Sequence, residues 1–150
     1  MASAVQDVEY PQRTQRSQYR YLFTPKHHGG GPKDAARWSS HISDDEEFSV
    51  FDTADLHEIL DERAWMYGVL RGDDEKLRYL GTWTQQMAEF PAADEGQPWH
   101  GYPLWPLQEL GPENRRGEKM RPSKEVFVRM ADVGLITVRE RKRLFKGDHV

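Results

Sequence analysis

The sequence contains no cysteine among its 150 residues. This absence excludes disulfide bonds, thiolate metal ligands and a cysteine nucleophile. The N-terminus also lacks the apolar run of a secretory signal, and no segment approaches the roughly 18 continuous apolar residues of a membrane span. We therefore expect a soluble, cytoplasmic protein that makes no membrane contact.

Sequence motifs that carry catalysis or bind cofactors are also lacking. The segment HHGGGPK at 27–33 is rich in glycine. It does not follow a strand-like run, and it lacks the lysine followed by serine or threonine that a phosphate-binding loop needs. No serine lies in the setting of a nucleophile elbow. We therefore expect no cofactor and favour a non-enzymatic function.

Charge is distributed unevenly along the chain. Residues 1–112 carry 10 Lys and Arg against 19 Asp and Glu, whereas residues 113–150 carry 11 against 6. Two parts of opposite net charge can attract each other within one molecule or present two faces to different partners. The sequence leaves both alternatives open.

The first 47 residues are polar and irregular. Their apolar residues are scattered and follow neither the helical nor the strand period, which predicts a disordered N-terminal tail over 1–47. The acidic run DDEE at 44–47 marks its end. One exception is YRYLF at 19–23, which has the composition to dock as a short strand or an aromatic anchor.

Residues 48–150 predict a small single α+β domain that begins with an amphipathic helix. Asp52 or Thr53 can cap this helix. Apolar residues follow the cap at helical spacing: Leu56, Ile59, Leu60, Ala64 and Tyr67.

A β-hairpin is predicted next. The runs WMYGVL at 65–70 and LRYLGTW at 77–83 flank the charged tip RGDDEK. Leu77, Tyr79 and Trp83 share one face of the second strand. The segment TQQMAEFP at 84–91 fits a third strand or a helical turn.

The C-terminal part predicts a long loop followed by a helical hairpin. Six of the nine prolines lie in 91–122, which excludes a long regular element there. Ser123 can cap the first helix of the hairpin, and Gly134 can end it. Thr137 and Glu140 then fit a capping box that opens a second, basic helix ending at Gly147.

The loop segment PWHGYPLWP at 98–106 is a candidate partner-binding site. Its prolines stiffen the backbone, so its rings can either close the core or contact a partner protein as a hot spot. The residues concerned are Trp99, His100, Tyr102 and Trp105. The function we favour is therefore a non-enzymatic binding module that engages a partner protein through this loop and the charged faces.

Two alternatives rest on histidine chemistry. His100 is the candidate for acid–base work in a small hydrolase or nuclease, with His57 or Glu89 brought in by the fold. In HEILDE, His57 and Asp61 are one helical turn apart, as in a metal site. These charges lie opposite the apolar face, which is typical of a solvated helix, so we predict no metal site.

The C-terminal run VRERKRLFKG at 138–147 predicts a nucleic-acid-binding helix, which is the first alternative function. Its positive residues are Arg139, Arg141, Lys142, Arg143 and Lys146. A short helix, a glycine elbow and a basic helix also share the outline of a helix-turn-helix. Phosphate contact without sequence specificity is the more modest form of this prediction.

Overall fold

A computed structural model describes residues 8–10, 19–23, 37–82, 85–104, 122–146, 148 and 150. These residues form α1 (Asp44–Leu56), α2 (Lys124–Asp132), α3 (Val138–Phe145) and five strands, β1 (Val8–Tyr10), β2 (Tyr21–Phe23), β3 (Met66–Gly68), β4 (Met87–Phe90) and β5 (Tyr102–Leu104). The predicted α+β class is confirmed. Within this part of the chain, no helix combines the length and the apolar character needed to cross a membrane.

Two antiparallel sheets are present among these strands. β1 pairs with β2, while β4 lies between β3 and β5. The side chains of successive strand residues point to opposite faces of the sheet. The central strand β4 therefore contributes side chains to two hydrophobic cores. Ala88 and Phe90 belong to the first core and Met87 belongs to the second.

The helix α1 begins earlier than the sequence pattern predicts. The Ser43 side chain accepts from the backbone N–H of Glu46, and the Glu46 carboxylate accepts from the N–H of Ser43, which forms a capping box. The DDEE run is therefore the first turn of α1, where its negative charge favours the positive end of the helix dipole. The interpretation of this run as the end of a tail is wrong, and the predicted boundary at residue 47 falls inside α1.

The predicted extent of this helix and its predicted apolar face are also wrong. α1 ends at Leu56, whose side chain is 46% exposed. Glu58 then adopts a φ of +54°, which turns the chain out of the helix. Ile59 is fully buried as predicted, but it reaches the second core from beyond the helix.

The first core is built around Tyr21 of β2. It combines aromatic and aliphatic side chains from β2, α1, β3, β4 and the connecting segments: Tyr21, Phe23, Trp38, Ile42, Phe48, Val50, Phe51, Ala54, Met66, Leu80, Ala88, Phe90 and Trp99. Four of these residues come from the predicted tail, 1–47. The docking strand predicted within 19–23 is present as β2.

The predicted hairpin is limited to its charged tip. Arg71 and Leu77 form a bridge, and the N–H of Arg78 donates to the carbonyl of Leu70 at 2.8 Å. β3, however, pairs with β4 rather than with 77–83. The predicted shared face is wrong, because Leu77 is buried while Tyr79 is half exposed. Trp83 lies outside the described residues.

The C-terminal helical hairpin is confirmed as α2 and α3. Gly134 follows α2 with a φ of +82°, a conformation that glycine adopts without strain. The second core joins this hairpin to the sheet: Ile59, Tyr67, Val69, Leu77, Met87, Leu104, Val126, Phe127, Met130, Ile136 and Leu144. The predicted loop contains β5, and its residues 105–121 lie outside the described part, as does Gly147.

A side-chain clamp holds the chain after α3. The buried amide of Gln86 donates to the carbonyl of Val150 at 2.8 Å and accepts from the Val150 N–H at 2.9 Å. It also donates to the carbonyl of Leu77 at 3.1 Å. All three bonds satisfy a polar group that would be costly to bury alone.

Candidate functional site

Four positive side chains form a stripe along the exposed side of α3. Arg139, Lys142, Arg143 and Lys146 are exposed, and they are spaced i, i+3, i+4 and i+7. That spacing places them on one helix face over a rise of about 10 Å. We call these four residues the basic stripe. Arg141 is only half exposed and projects from a different side of the helix.

Unlike the arginines that support the fold, the basic stripe has no anionic partner among the described carboxylates. Arg63, Arg71 and Arg78 each form an ion pair in that part of the chain. The sequence left open whether the basic helix binds the acidic part of its own chain. The described acidic residues do not pair with the stripe.

Self-repulsion makes the basic stripe unfavourable for α3 itself. Like charges three or four residues apart on a helix destabilise it by about 0.2–0.5 kcal/mol per pair. Lys142 and Arg143 lie in the last turn, where the helix dipole offsets part of this cost. A bound polyanion would remove the repulsion and exploit the same charges.

A separate set of contacts fixes where α3 begins. Arg71 forms a bidentate pair with Glu140, with N···O distances of 2.7 and 2.8 Å, and also donates to the carbonyl of Leu135. The hydrogen bonds from Arg71 lower the pKa of Glu140. Glu140 in turn accepts from the backbone N–H of Thr137. Glu140, the single carboxylate of α3, therefore pairs with Arg71 and not with a residue of the basic stripe.

Thr137→Ala is expected to lower the free energy of unfolding by about 0.5–2 kcal/mol. The reason is loss of the Thr137 hydroxyl that accepts from the N–H of Glu140 at 3.0 Å. Urea denaturation followed by circular dichroism measures the change. Thr137→Ser keeps the hydroxyl and should remain close to wild type; equal losses in both variants would rule out the cap as the cause.

The predicted aromatic site is split between the core and the surface. Trp99 is 4% exposed and packs on Tyr19 and Phe51, with ring centroids 5.0 and 6.0 Å apart. His100 is exposed and Tyr102 is half buried. Trp105 lies outside the described residues. Trp99 therefore closes the first core. A partner-binding role for Trp99, His100, Tyr102 and Trp105 stays a prediction.

One cavity reaches the buried Trp99 from outside. It has a volume of about 600 Å³ and is lined by Tyr19, Leu60, Ala64, Trp99 and residues 92–97. The exposed carboxylates at its rim belong to Asp94 and Glu95. The side chain of Arg20 donates to the carbonyl of Gly96 on the same loop. The rim thus carries both signs of charge and favours no ligand class.

His57 and Asp61, the pair considered for a metal site, have separate contacts. His57 caps the C-terminal end of α1, and its carbonyl accepts from Arg129. The side chain of Asp61 is 2% exposed and instead pairs with Arg63, whose side chain is 49% exposed. In the described ranges no group of three or more metal-ligating side chains is found.

The sequence pattern did not reveal a buried polar cluster beside the second core. Tyr67, Glu89 and Tyr102 are direct neighbours across β3, β4 and β5. The Tyr67 hydroxyl lies 2.9 Å from Asp61 Oδ2 and 3.0 Å from Glu89 Oε2. The Tyr102 hydroxyl donates to Glu89 Oε1. Arg63 donates to Tyr67 and to Asp61, and it stacks over Trp65.

Glu89, one of the two partners predicted for His100, differs from that histidine in burial. It is 7% exposed, whereas His100 is exposed. Its carboxyl group contacts two tyrosines, which are hydrogen-bonding groups rather than nucleophiles activated by a base. The hydrolase alternative stays a prediction without a constellation of catalytic groups to support it.

Comparison with known proteins finds no relative. No protein-family model, no curated protein and no solved structure matches this chain.

Proposed function

We propose that this protein is a non-enzymatic binding module that contacts the phosphate backbone of nucleic acid through the basic stripe of α3. The observation that supports this proposal is the arrangement of four exposed cations on one helix face, none paired with a described carboxylate. Phosphate contacts of this kind supply affinity and orientation without reading base sequence.

The composition of the stripe favours phosphate over a protein partner. Protein hot spots are centred on buried aromatic or arginine anchors in apolar surroundings. On α3 the aromatic Phe145 instead packs against Phe127 with ring centroids 5.5 Å apart. The one large apolar side chain of α3 that is exposed is Val138. A face of like charges without an apolar anchor suits a regular polyanion.

Binding of the full-length protein to a labelled DNA duplex of about 20 base pairs, and to one of its strands, tests the proposal by fluorescence anisotropy. If all four cations contact phosphates, the slope of log K against log salt should be about −3 to −4 for the duplex. Affinity for the duplex should then fall about 100-fold between roughly 50 and 200 mM salt.

The variant Arg139→Gln with Arg143→Gln removes two stripe charges. We expect its affinity for the duplex to be about 10- to 100-fold lower at roughly 50 mM salt and its salt slope to be shallower by about 2. The control Lys76→Gln with Lys124→Gln changes net charge equally on exposed residues outside α3. It should bind nearly as wild type does.

Three outcomes would overturn the assignment. Equal weakening by both double variants would show that total charge, not the stripe, controls binding. Absence of duplex and single-strand binding even at low salt would remove the nucleic acid as ligand. Binding to polyglutamate as tight as to the duplex would instead point to an acidic protein partner.

A further inference from the structure

The hydroxyl group of Tyr67 has more acceptor neighbours than it has protons. Oxygen atoms of Asp61 and Glu89 lie within 3.0 Å of it, and Arg63 donates to it at 2.9 Å. A tyrosine hydroxyl carries one proton and can donate to one of the two carboxyl groups only. If both were ionised, one carboxylate would face the Tyr67 oxygen without a hydrogen between them.

The surroundings of the two acids decide which one carries the extra proton. Asp61 accepts from the backbone N–H groups of Arg63 and Trp65, and from Nε and Nη2 of Arg63. Four N–H donors, two of them on a cation, stabilise a charged carboxylate. Glu89 meets only hydroxyl groups at hydrogen-bond distance, with the nearest Arg63 nitrogen 3.9 Å away.

We propose that Glu89 is a proton-binding site in the folded protein, which makes the joint between the three-stranded sheet and the 61–65 turn sensitive to pH. The protonated Glu89 Oε2 donates to Tyr67, and Tyr67 donates to the charged Asp61. Tyr102 donates to the other oxygen of Glu89. In this series of hydrogen bonds, each hydroxyl hydrogen then faces one acceptor oxygen.

The direction in which the surroundings shift the pKa of each acid agrees with this assignment. Burial raises the pKa of Glu89 above its ordinary value, and the hydrogen bonds from Tyr102 and Tyr67 oppose the rise only in part. Burial works against the charge of Asp61 as well, but hydrogen bonds from Arg63, Tyr67 and two backbone N–H groups outweigh it and lower its pKa. The two carboxyl groups are thus shifted in opposite directions.

The consequence for stability has a definite sign. A folded protein that binds a proton more tightly than its unfolded chain is stabilised by that proton below the ordinary glutamate pKa, about 4.3. The stabilisation is lost as pH rises through the folded-state pKa of Glu89. Once the proton has left, two carboxylates share the single proton of Tyr67, with one nearby cation, Arg63, to balance them.

The variant Glu89→Gln tests the proposal because its amide donates to Tyr67 and accepts from Tyr102 at every pH. Chemical denaturation of wild type and variant is compared from about pH 4.3 to about pH 9. Relative to the variant, the folding equilibrium constant of wild type should fall up to about tenfold per pH unit above the glutamate pKa, until the folded-state pKa is passed. Other titrating groups contribute equally to both proteins and cancel in the comparison.

The matched control is Asp61→Asn. Its amide hydrogens would face the N–H donors of Arg63, so we expect at least a tenfold loss in the folding equilibrium constant at every pH. Independently, the side-chain carboxyl ¹³C shift of Glu89 should titrate above the ordinary glutamate range. Parallel pH profiles for wild type and Glu89→Gln, an ordinary titration of Glu89, or failure of Glu89→Gln to fold would each overturn the proposal.

Discussion

Tyr21→Ala is expected to lower the free energy of unfolding by about 3–5 kcal/mol, the range found when a buried aromatic residue is truncated. Tyr21 is fully buried, and its ring lies 5.1 Å from that of Phe51 and 5.8 Å from that of Phe90. Its hydroxyl donates to the buried carboxyl of Glu47 at 2.6 Å. The loss is about a fifth or more of the total stability of a typical small domain, about 5–15 kcal/mol.

Urea denaturation of the full chain measures this loss, and Tyr79→Ala is its matched control. Tyr79 is 50% exposed, so the same truncation there should cost less than about 1 kcal/mol. Tyr21→Phe keeps the ring but removes the hydrogen bond to Glu47. Its free energy of unfolding should fall by about 1–3 kcal/mol, between the losses for Tyr79→Ala and Tyr21→Ala. Similar small losses for all three variants would mean that residue 21 belongs to an unpacked tail.

The helical hairpin was predictable because its signals are local. Thr137 and Glu140 form the predicted capping box, and Gly134 ends α2 as expected. The same kind of signal marks α1, since Ser43 and Glu46 have the spacing of a capping box. The DDEE run made this helix start ambiguous in the sequence, because four acids in a row are equally typical of a solvated tail and of the first turn of a helix.

Strand pairing could not be predicted from local patterns. β3 ends at Gly68 and pairs with β4, which begins at Met87, so their register depends on the whole fold. The row formed by Tyr67, Glu89 and Tyr102 exists only in that register. The positive charges of α3 were visible in the sequence, whereas the lack of an ion pair between them and a described carboxylate required the structure.

Phe127→Ala should destabilise the protein by about 3–5 kcal/mol through the second core rather than the first. Phe127 is 1% exposed on α2, and its ring meets the edge of Phe145 on α3. Its removal weakens the packing that holds the two helices together. Val138→Ala changes an α3 residue that is 56% exposed and should stay within about 0.5 kcal/mol of wild type.

Phe127→Ala also distinguishes the contribution of α3 packing to duplex binding from the contribution of the four stripe charges. The variant keeps all four cations, so a loss of duplex binding would reflect only the smaller fraction of molecules with α3 packed. Because a ligand that binds the folded state stabilises it, excess duplex should raise the melting temperature of Phe127→Ala. The same excess of duplex should raise the melting temperature of Arg139→Gln with Arg143→Gln by less, because that variant binds the duplex more weakly. A Phe127→Ala protein that unfolds yet binds as wild type does would show that the charges act without the helix, as a flexible basic segment does.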